Sequence, residues 1–207
     1  MADAAENTSD DATRRPRGRP RNPAVDDALL ASTLGKLAAE GYARLTLDSL
    51  AEAAAVTKPT IYRRFKNKDE VIVAAVERMA SPKMPSRSGD VYEDLLAAVR
   101  EIRKAFSDPG TSSLLGTMLV EERHTPELVM RLRARLFSPW RDHLGEILDD
   151  GVKSGQVRRD APTEVVVALL LGWVLGRSLD SGPPGSTWPK RVIDLVWPAI
   201  AAPTLGA

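Results

Sequence analysis

Residues 46–65 have the sequence TLDSLAEAAAVTKPTIYRRF, which contains two short helical patterns in succession. Thr46 is a residue type that caps helix N-termini, and the leucines behind it would form one apolar face. After a turn of small residues, Ile61 and Phe65 are four apart, so both would point to one side of a second helix. Two short helices joined by a tight turn are typical of the helix-turn-helix unit.

The second helix of such a unit presents its N-terminal residues to DNA bases while its other face packs against the domain. Val56, Ile61 and Phe65 would supply the packed face. Threonine and lysine can hydrogen-bond to bases or phosphates, and methyl groups or a proline ring can contact thymine methyl groups. Lys68 would begin a further helix, where free backbone N–H groups favour a phosphate. The residues of this segment predicted to contact DNA are Thr46, Thr57, Lys58, Pro59, Thr60, Tyr62, Arg63 and Lys68.

The charge of the chain is unevenly distributed. Its 207 residues include 29 Lys+Arg and 28 Asp+Glu, and the net charge of +1 by itself argues against a nucleic-acid-binding protein. However, residues 14–21 (RRPRGRPR) and residues 57–68 each contain five basic residues and no acidic one, whereas residues 1–12 contain four acidic residues and no basic one. Such local asymmetry says more about binding partners than the total does.

Residues 1–22 are polar and are predicted to be a disordered basic arm. The sequence RGRP at 17–20 resembles the core of an AT-hook, because Gly18 lets the backbone approach the floor of the DNA minor groove while arginines reach along it. The alternative is a solvated tail that adds only nonspecific attraction to DNA. The arm residues predicted to contact the minor groove are Arg17, Gly18, Arg19 and Arg21.

Helical patterns continue to the end of the chain, and no alternating pattern typical of a strand interrupts them. The sequence therefore predicts an all-α fold of about nine helices. After the arm we expect a three-helix helix-turn-helix domain with one further helix in residues 23–80, and a C-terminal helical domain in residues 90–203. Residues 81–89, which are rich in residues that interrupt helices, would separate the two domains. One long helix is predicted to follow Thr125 and to be kinked by Pro139.

The block TLDSLAEAAAVTKPTIYRRFKNKDEVIVAAVE, residues 46–77, resembles the N-terminal domain of the TetR family of bacterial transcriptional regulators. The family pattern is a Thr-capped helix, a tight turn, a short helix ending in Tyr-x-x-Phe, and a helix start that contains lysine. Ala55 stands where the family usually has glycine, and a positive φ there would cost an alanine about 1 kcal/mol. The matching residues are Thr46, Ala54, Val56, Thr57, Thr60, Tyr62, Phe65 and Lys68.

The resemblance implies a homodimer that meets successive major grooves of a near-palindromic double-stranded operator. It also implies a C-terminal domain that binds a small, largely apolar effector. The resemblance favours a repressor, which the effector would release from the operator.

The apolar run VVVALLLGWVLG at 165–176 agrees with a dimer, because a helix that is apolar all round must be buried on both sides. The alternative is the central core helix of a monomer. The predicted interface residues are Val165, Leu169, Gly172, Gly176, Val192 and Val196.

The effector is expected between the helices of the C-terminal domain, since bundle interiors are common ligand sites. A kink at Pro139 would open space beside Phe137 and Trp140. Plain core packing is the alternative for every candidate residue. These candidates are Phe106, Met118, Glu122, Phe137, Trp140, His143 and Trp173.

Several other classes are disfavoured. The absence of cysteine excludes disulfides and thiolate metal sites. The run at 165–176 is shorter than the roughly 20 residues that cross a bilayer, and no signal-peptide core is present, so we expect a cytoplasmic protein with no membrane partner. Glu121 and His124 form one Glu-x-x-His pair where di-iron bundles need two, so no metal site is expected. The sequence has no phosphate-binding loop and no nucleophile motif, so neither a cofactor nor catalysis is expected. Two alternatives stay open: a helix-bundle enzyme, and an AT-hook-like architectural DNA-binding protein without ligand response.

Overall fold

The computed structural model of the protein describes residues 23–79, 82–181 and 185–203. The predicted arm, with Arg17, Gly18, Arg19 and Arg21, lies outside these residues. The N-terminal helices are α1 (Pro23–Glu40), α2 (Leu47–Ala53), α3 (Lys58–Tyr62) and α4 (Lys68–Arg78), with a short 3-10 helix at Tyr42–Arg44. The remaining helices are α5 (Val91–Ser107), α6 (Pro109–Glu121), α7 (Pro126–Leu136), α8 (Ser138–Ser154), α9 (Thr163–Ser181) and α10 (Trp188–Ile200).

The all-α prediction is confirmed, but the described residues form ten α-helices where about nine were predicted. The difference arises at Phe137, where the predicted kinked helix is instead divided into α7 and α8. A proline ring inside a continuous helix would clash with the carbonyl group four residues before it. Here Pro139 lies in the first turn of a new helix, where its missing N–H group costs nothing.

Two polar residues begin helices of the N-terminal domain as the sequence predicts. The Oγ1 atom of Thr46 accepts a hydrogen bond from the Ser49 N–H (3.0 Å), and the Ser49 hydroxyl oxygen accepts one from the Thr46 N–H (3.1 Å). Asn67 caps α4 by accepting from the Glu70 N–H (2.9 Å). The Glu70 carboxylate, however, accepts from the N–H of Lys66 (2.8 Å) and not from that of Asn67, so Asn67 and Glu70 form only half of a capping box.

The apolar core of the N-terminal domain is built from α1 to α4, and it continues into the C-terminal domain, where α1 packs against α6. Burial of these side chains is the main favourable contribution to folding and fixes the angles at which the short helices cross. Its fully buried side chains include Leu29, Leu37, Leu50, Ile61 and Ile72.

The C-terminal domain packs α5 against α8 and both of these helices against α9. The tightest approach is at Gly151 on α8, where a Cβ atom would lie 2.7 Å from a methyl group of Val157 and 2.9 Å from one of Val91. Only glycine fits at such a distance, so Gly151 lets the start of α5 and the turn after α8 meet the α8 backbone directly.

Gln156, in the turn after α8, joins three parts of this domain. Its side-chain Oε1 atom accepts from the Val91 N–H (3.1 Å), and its Nε2 atom donates to the Gly89 carbonyl oxygen (2.8 Å). Its own carbonyl oxygen accepts from the Ala202 N–H (2.8 Å). The linker end, the start of α5 and the end of α10 are therefore held at one point.

Helix α9 is apolar on two sides, of which only one is covered. Val166, Leu170 and Val174 are buried inside the domain. On the opposite side Val165 is 49% exposed and Leu169 is 56% exposed. Within the described ranges, no helix has both the length and the apolarity that crossing a bilayer requires.

Candidate nucleic-acid interface

The turn between α2 and α3 requires an unusual backbone conformation. Ala55 has φ 52°, and no other non-glycine residue in the described part of the chain has positive φ. The Val56 N–H donates to the Ala51 carbonyl oxygen (2.9 Å), which closes the turn. The strain anticipated at Ala55 is therefore present, and the turn sets α3 across α2.

Helix α3 has one anchored face and one exposed face. Ile61 is fully buried, and Val56 and Phe65 pack against the core while partly exposed. Tyr62 is 55% exposed. Of the other predicted DNA contacts at this helix, Thr60 is half-buried. The remaining four are exposed: Thr57, Lys58, Pro59 and Arg63.

Asp48, in the first turn of α2, touches two of these side chains. The Lys58 Nζ atom donates to Asp48 Oδ2 (2.7 Å), and the Tyr62 hydroxyl donates to Asp48 Oδ1 (3.2 Å). From the sequence alone, Asp48 is only an acidic residue in the first turn of α2, where a negative charge interacts favourably with the helix dipole. Its partners are 10 and 14 residues away, so the contact depends on the crossing of α2 and α3 and not on any local pattern.

These contacts stabilise the charged forms of Asp48 and Lys58. The hydrogen bond from Lys58 lowers the pKa of Asp48, and the bond from Tyr62 lowers it further. The bond between Lys58 and Asp48 also raises the pKa of the Lys58 ammonium group. The bond between Tyr62 and Asp48 raises the pKa of the Tyr62 hydroxyl. At neutral pH the exposed surface of α2 and α3 therefore holds an anion and a cation side by side, with a protonated phenol next to them.

Thr57 stands at the N-cap position of α3, but its hydroxyl does not act as the cap. The hydroxyl oxygens of Thr57 and Thr60 are 2.8 Å apart and share a hydrogen bond. The helix is closed at this end by backbone bonds from the N–H groups of Thr60 and Ile61 to the Thr57 carbonyl oxygen. Both hydroxyls thus lie together at the start of the exposed face.

Lys68 lies apart from this group, at the start of α4. Its Nζ atom donates to the Tyr42 carbonyl oxygen (2.9 Å) and lies 3.9 Å from the centroid of the Tyr42 ring. The Tyr42 hydroxyl in turn donates to Asp69 Oδ1 (2.6 Å). Burial, followed by this bond to Asp69, raises the pKa of Tyr42. The side chain predicted to meet a phosphate is therefore also part of a contact that joins the 3-10 helix to α4.

The predicted effector residues differ in how far they are buried and in what they contact. Phe106 and Phe137 pack together, with ring centroids 5.2 Å apart. Met118 and Trp140 are buried in the domain core. Glu122 is exposed and forms an ion pair with Arg133, which puts it at the surface and not in the interior.

His143 and Trp173 carry nitrogen atoms without a hydrogen-bond partner among the described residues: His143 Nε2 and Trp173 Nε1 are both buried. Burial, and then the nearby Arg87 charge, lower the pKa of His143. The Trp173 ring stacks on Trp188 at 6.4 Å, and the Arg177 guanidinium lies 5.2 Å from the Trp188 ring. Trp173 therefore belongs to the contact between α9 and α10.

Family models match both parts of the chain. The model of bacterial regulatory proteins of the tetR family matches residues 29–75, and that of the tetracyclin repressor-like C-terminal domain matches residues 85–196. The HTH-type transcriptional regulator YdeS of Bacillus subtilis is 31% identical over 170 residues, covering 80% of this chain and 84% of YdeS.

A repressor and a solved structure are also similar to this chain. The DNA-binding transcriptional repressor TetR of Mycobacteroides abscessus is 28% identical over 179 residues, covering 85% of this chain and 93% of its own. The solved SmeT–triclosan complex shares the fold with a TM-score of 0.66 at 20% identity, covering 89% of this chain and 95% of SmeT. With the exposed face of α3 and both family models in agreement, the chain belongs to the TetR family of DNA-binding transcriptional regulators.

Proposed function

We propose that the protein is a homodimeric repressor that binds a palindromic operator and leaves it when a small, largely apolar ligand binds. The observation that carries the proposal is the N-terminal half of α3, which is exposed while Ile61 anchors the helix in the core. The predicted contacts Thr46, Thr57, Lys58, Pro59, Thr60, Tyr62 and Arg63 would enter the major groove or touch its phosphates, with Lys68 on an adjacent phosphate. Repression is supported by the name of the similar repressor TetR of M. abscessus.

The uncovered side of α9 supports the homodimer. Val165 and Leu169 are exposed there, and on α10 Leu195 is 79% exposed. Exposed apolar residues clustered on neighbouring helices mark interaction surfaces in soluble proteins. Gly172 and Gly176 are exposed on the same helix and would allow a second copy of α9 to come close. Val192 and Val196, which are half-buried on α10, would complete the interface.

The core of the C-terminal domain supports an effector site. Phe106, Phe137, Trp140 and Met118 supply apolar surface, and the unpartnered Nε2 atom of His143 offers one polar contact. Ligand sites are commonly apolar with a few such polar groups. A solved neighbour of the same fold, SmeT, was determined with triclosan, a small aromatic compound. Trp173 stays a weaker candidate because it packs against Trp188, and Glu122 is at the surface.

The contacts between the domains support coupling of effector and DNA. Helix α1 packs on α6 and α4 packs on α7, and the Ser113 hydroxyl on α6 donates to the Leu37 carbonyl oxygen on α1 (2.7 Å). A shift of α6 or α7 around an effector would therefore move the helix-turn-helix unit. Two such units must be about 34–36 Å apart to meet successive major grooves, so a small shift is enough to lose the operator.

The domain limits 23–80 and 90–203 and the arm 1–22 are part of the proposal. In the arm, Arg17, Gly18, Arg19 and Arg21 would follow the minor groove beside the operator, where A·T-rich sequence narrows the groove. Deletion of residues 1–22 should then reduce affinity more for operators with A·T-rich flanks than for those with G·C-rich flanks. Equal losses on both would indicate plain electrostatic attraction.

Selection of bound duplexes from random DNA tests the central proposal. The full chain should recover a near-palindrome that it prefers by about 10³-fold or more over random DNA. Sedimentation of the complex should give two protomers per site. Recovery of A·T-rich DNA without a palindrome would favour the architectural alternative, and recovery of no sequence would favour an enzyme.

A further inference from the structure

The contact between Asp48 and Lys58 carries an inference that rests on the proposed function. We propose that these two side chains together read one G·C base pair in each half of the operator. Lys58 would donate to the guanine, and Asp48 would accept from the cytosine of the same pair. Asp48 would thereby be a specificity-determining residue of the DNA-binding surface.

The position of the pair suits contact with bases. Lys58 is the first residue of α3, and the N-terminal residues of the second helix of a helix-turn-helix unit meet base edges. The Lys58 side chain is 64% exposed and that of Asp48 is 46% exposed, so both can meet a ligand from solvent. Asp48 lies in the wall of a groove between α2 and the start of α3, and Lys58 lines the same groove.

The carboxylate of Asp48 is held in place and still has capacity to accept. Lys58 donates to Oδ2 and Tyr62 donates to Oδ1, so two donors from α3 fix both oxygens. Each carboxylate oxygen can accept about two hydrogen bonds. One amino group of a base can therefore be added without breaking either contact. The same holds for Lys58, whose ammonium group has three N–H donors and uses one on Asp48.

The order of polar groups on a G·C pair matches this arrangement. Across the major groove, guanine presents the acceptors N7 and O6, and the cytosine beside it presents the N4 amino donor. A cation over the first two and a carboxylate over the third satisfy all of them. An A·T pair presents an acceptor, a donor and a second acceptor, so the carboxylate would face thymine O4. Repulsion between two acceptors then disfavours A·T, in addition to the attraction that favours G·C.

A purely structural role explains this contact less well. An exposed ion pair contributes little to stability, and a carboxylate on a DNA-facing surface repels phosphates. Glu77 on α4 provides a comparison, because it also forms an exposed ion pair, with Arg131 on α7 (3.4 Å), but lies outside the two helices α2 and α3 that hold Asp48 and Lys58. The two carboxylates therefore separate the effect of position from the effect of charge.

The experiment uses the full chain and the operator recovered by selection, in which each G·C pair is replaced by A·T or by inosine·C. Inosine lacks only the amino group in the minor groove, so its major-groove edge is that of guanine. At one G·C pair per half-site we expect A·T to reduce affinity between about 5-fold and about 150-fold, the discrimination a good base contact provides. Inosine·C at that position should bind within about 2-fold of G·C.

Two variants assign the effect to Asp48. In Asp48→Ala the preference for G·C over A·T at that position should fall to less than about 3-fold, while preferences at the other positions remain. Glu77→Ala removes the same charge and should keep the full preference. Circular dichroism of both variants checks that the helices form.

Each contrary result has a distinct meaning. Failure of the wild type to select any palindrome would overturn the proposed function. If the wild type selects a palindrome and Asp48→Ala keeps the same base preference at every position, the proposed base contact of Asp48 is wrong. The proposed function would remain. Higher affinity of Asp48→Ala for all duplexes with unchanged preferences would overturn the base contact too, and would make Asp48 an electrostatic screen against nonspecific DNA. If inosine·C behaves as A·T, deformation of DNA accounts for the preference.

Discussion

The Nζ atom of Lys68 lies 3.9 Å from the centroid of the Tyr42 ring and hydrogen-bonds to the carbonyl oxygen of the same residue. A residue proposed to contact DNA thus also links the start of α4 to the segment that leads into α2. Tyr42 completes the link through its hydroxyl, which donates to Asp69. One cation and one aromatic ring therefore add a second link between α4 and the segment before α2, beside the apolar packing of α4 on α1.

Replacement of Lys68 should affect both stability and DNA binding. Lys68→Ala loses a cation–π contact and a hydrogen bond, which together contribute about 1–2 kcal/mol to the free energy of unfolding. If Lys68 also neutralises a phosphate, the slope of log affinity against log salt should fall by about 0.9. Chemical denaturation and titrations over a range of salt concentrations measure the two effects. Lys66→Ala, at an exposed position, is the control and should leave stability within about 0.5 kcal/mol of the wild type. An unchanged salt slope in Lys68→Ala would limit Lys68 to its structural contact.

Gly172→Leu tests the dimer without disturbing the protomer. No described atom beyond its own stretch of α9 lies within 4 Å of where a Cβ atom would be, so a leucine fits in the isolated chain. Across a close helix–helix interface the same side chain would clash, so we expect monomers in sedimentation with unchanged helix content. Gly116→Leu on α6 is the control, because it is also exposed with open space around it. A Gly172→Leu protein that sediments as a dimer would rule out this face of α9.

His143 should make stability depend on pH. Burial and the Arg87 charge lower its pKa in the folded state, against which the nearby carboxylates of Glu146 and Asp94 act only partly. As the pH falls below the unfolded-state value of about 6.5, the unfolded chain binds a proton that the folded protein resists. Stability from this group is therefore present above that pH and is lost as the pH falls towards the folded-state pKa.

The measurement compares melting temperatures at about pH 7.5 and about pH 5.5, on either side of the ordinary histidine pKa. His143→Leu should show a smaller drop between the two than the wild type. His124→Leu is the matched control, since His124 is exposed and is the other histidine of the chain. A drop in His143→Leu as large as in the wild type would show that other groups carry the acid sensitivity.

Ala55 should be improved by glycine. At φ 52° a Cβ atom is unfavourable, and this outweighs the extra freedom that glycine has in the unfolded chain. Ala55→Gly should raise the free energy of unfolding by about 0.5–1 kcal/mol. Ala134→Gly, on the exposed side of α7, should lower it by about the same amount because it weakens a helix. Chemical denaturation of both variants measures whether the free energy of unfolding rises or falls in each. A loss of stability in Ala55→Gly would mean that the turn carries no strain.

What the sequence predicted well depends on local interactions. Thr46 is predicted as a cap because a cap bonds to an N–H group within the same turn. Ile61 was identified as buried because helical spacing alone puts it on the inner face. The strain at Ala55 is expected from the family resemblance, because the TetR family usually has glycine at this position of the turn.

What it missed depends on how elements meet. The contact of Asp48 with Lys58 arises only where α2 crosses α3, which no spacing rule reveals. Pro139 is expected to disrupt a helix, but whether a proline kinks one helix or begins a new one depends on the surrounding packing, and here α7 ends at Leu136 and α8 begins at Ser138. Glu122 is predicted among the effector residues between the helices, but it is exposed and forms an ion pair with Arg133 on α7.

The contacts of Gln156 have a consequence for the order in which the domain opens. Chain ends usually fray, and their amide hydrogens exchange with solvent quickly. Here the Ala202 amide donates to Gln156, whose side chain also binds the amide of Val91. Because one residue joins both segments, the two amides should exchange together as one cooperative unit and at the slow rate of the domain core.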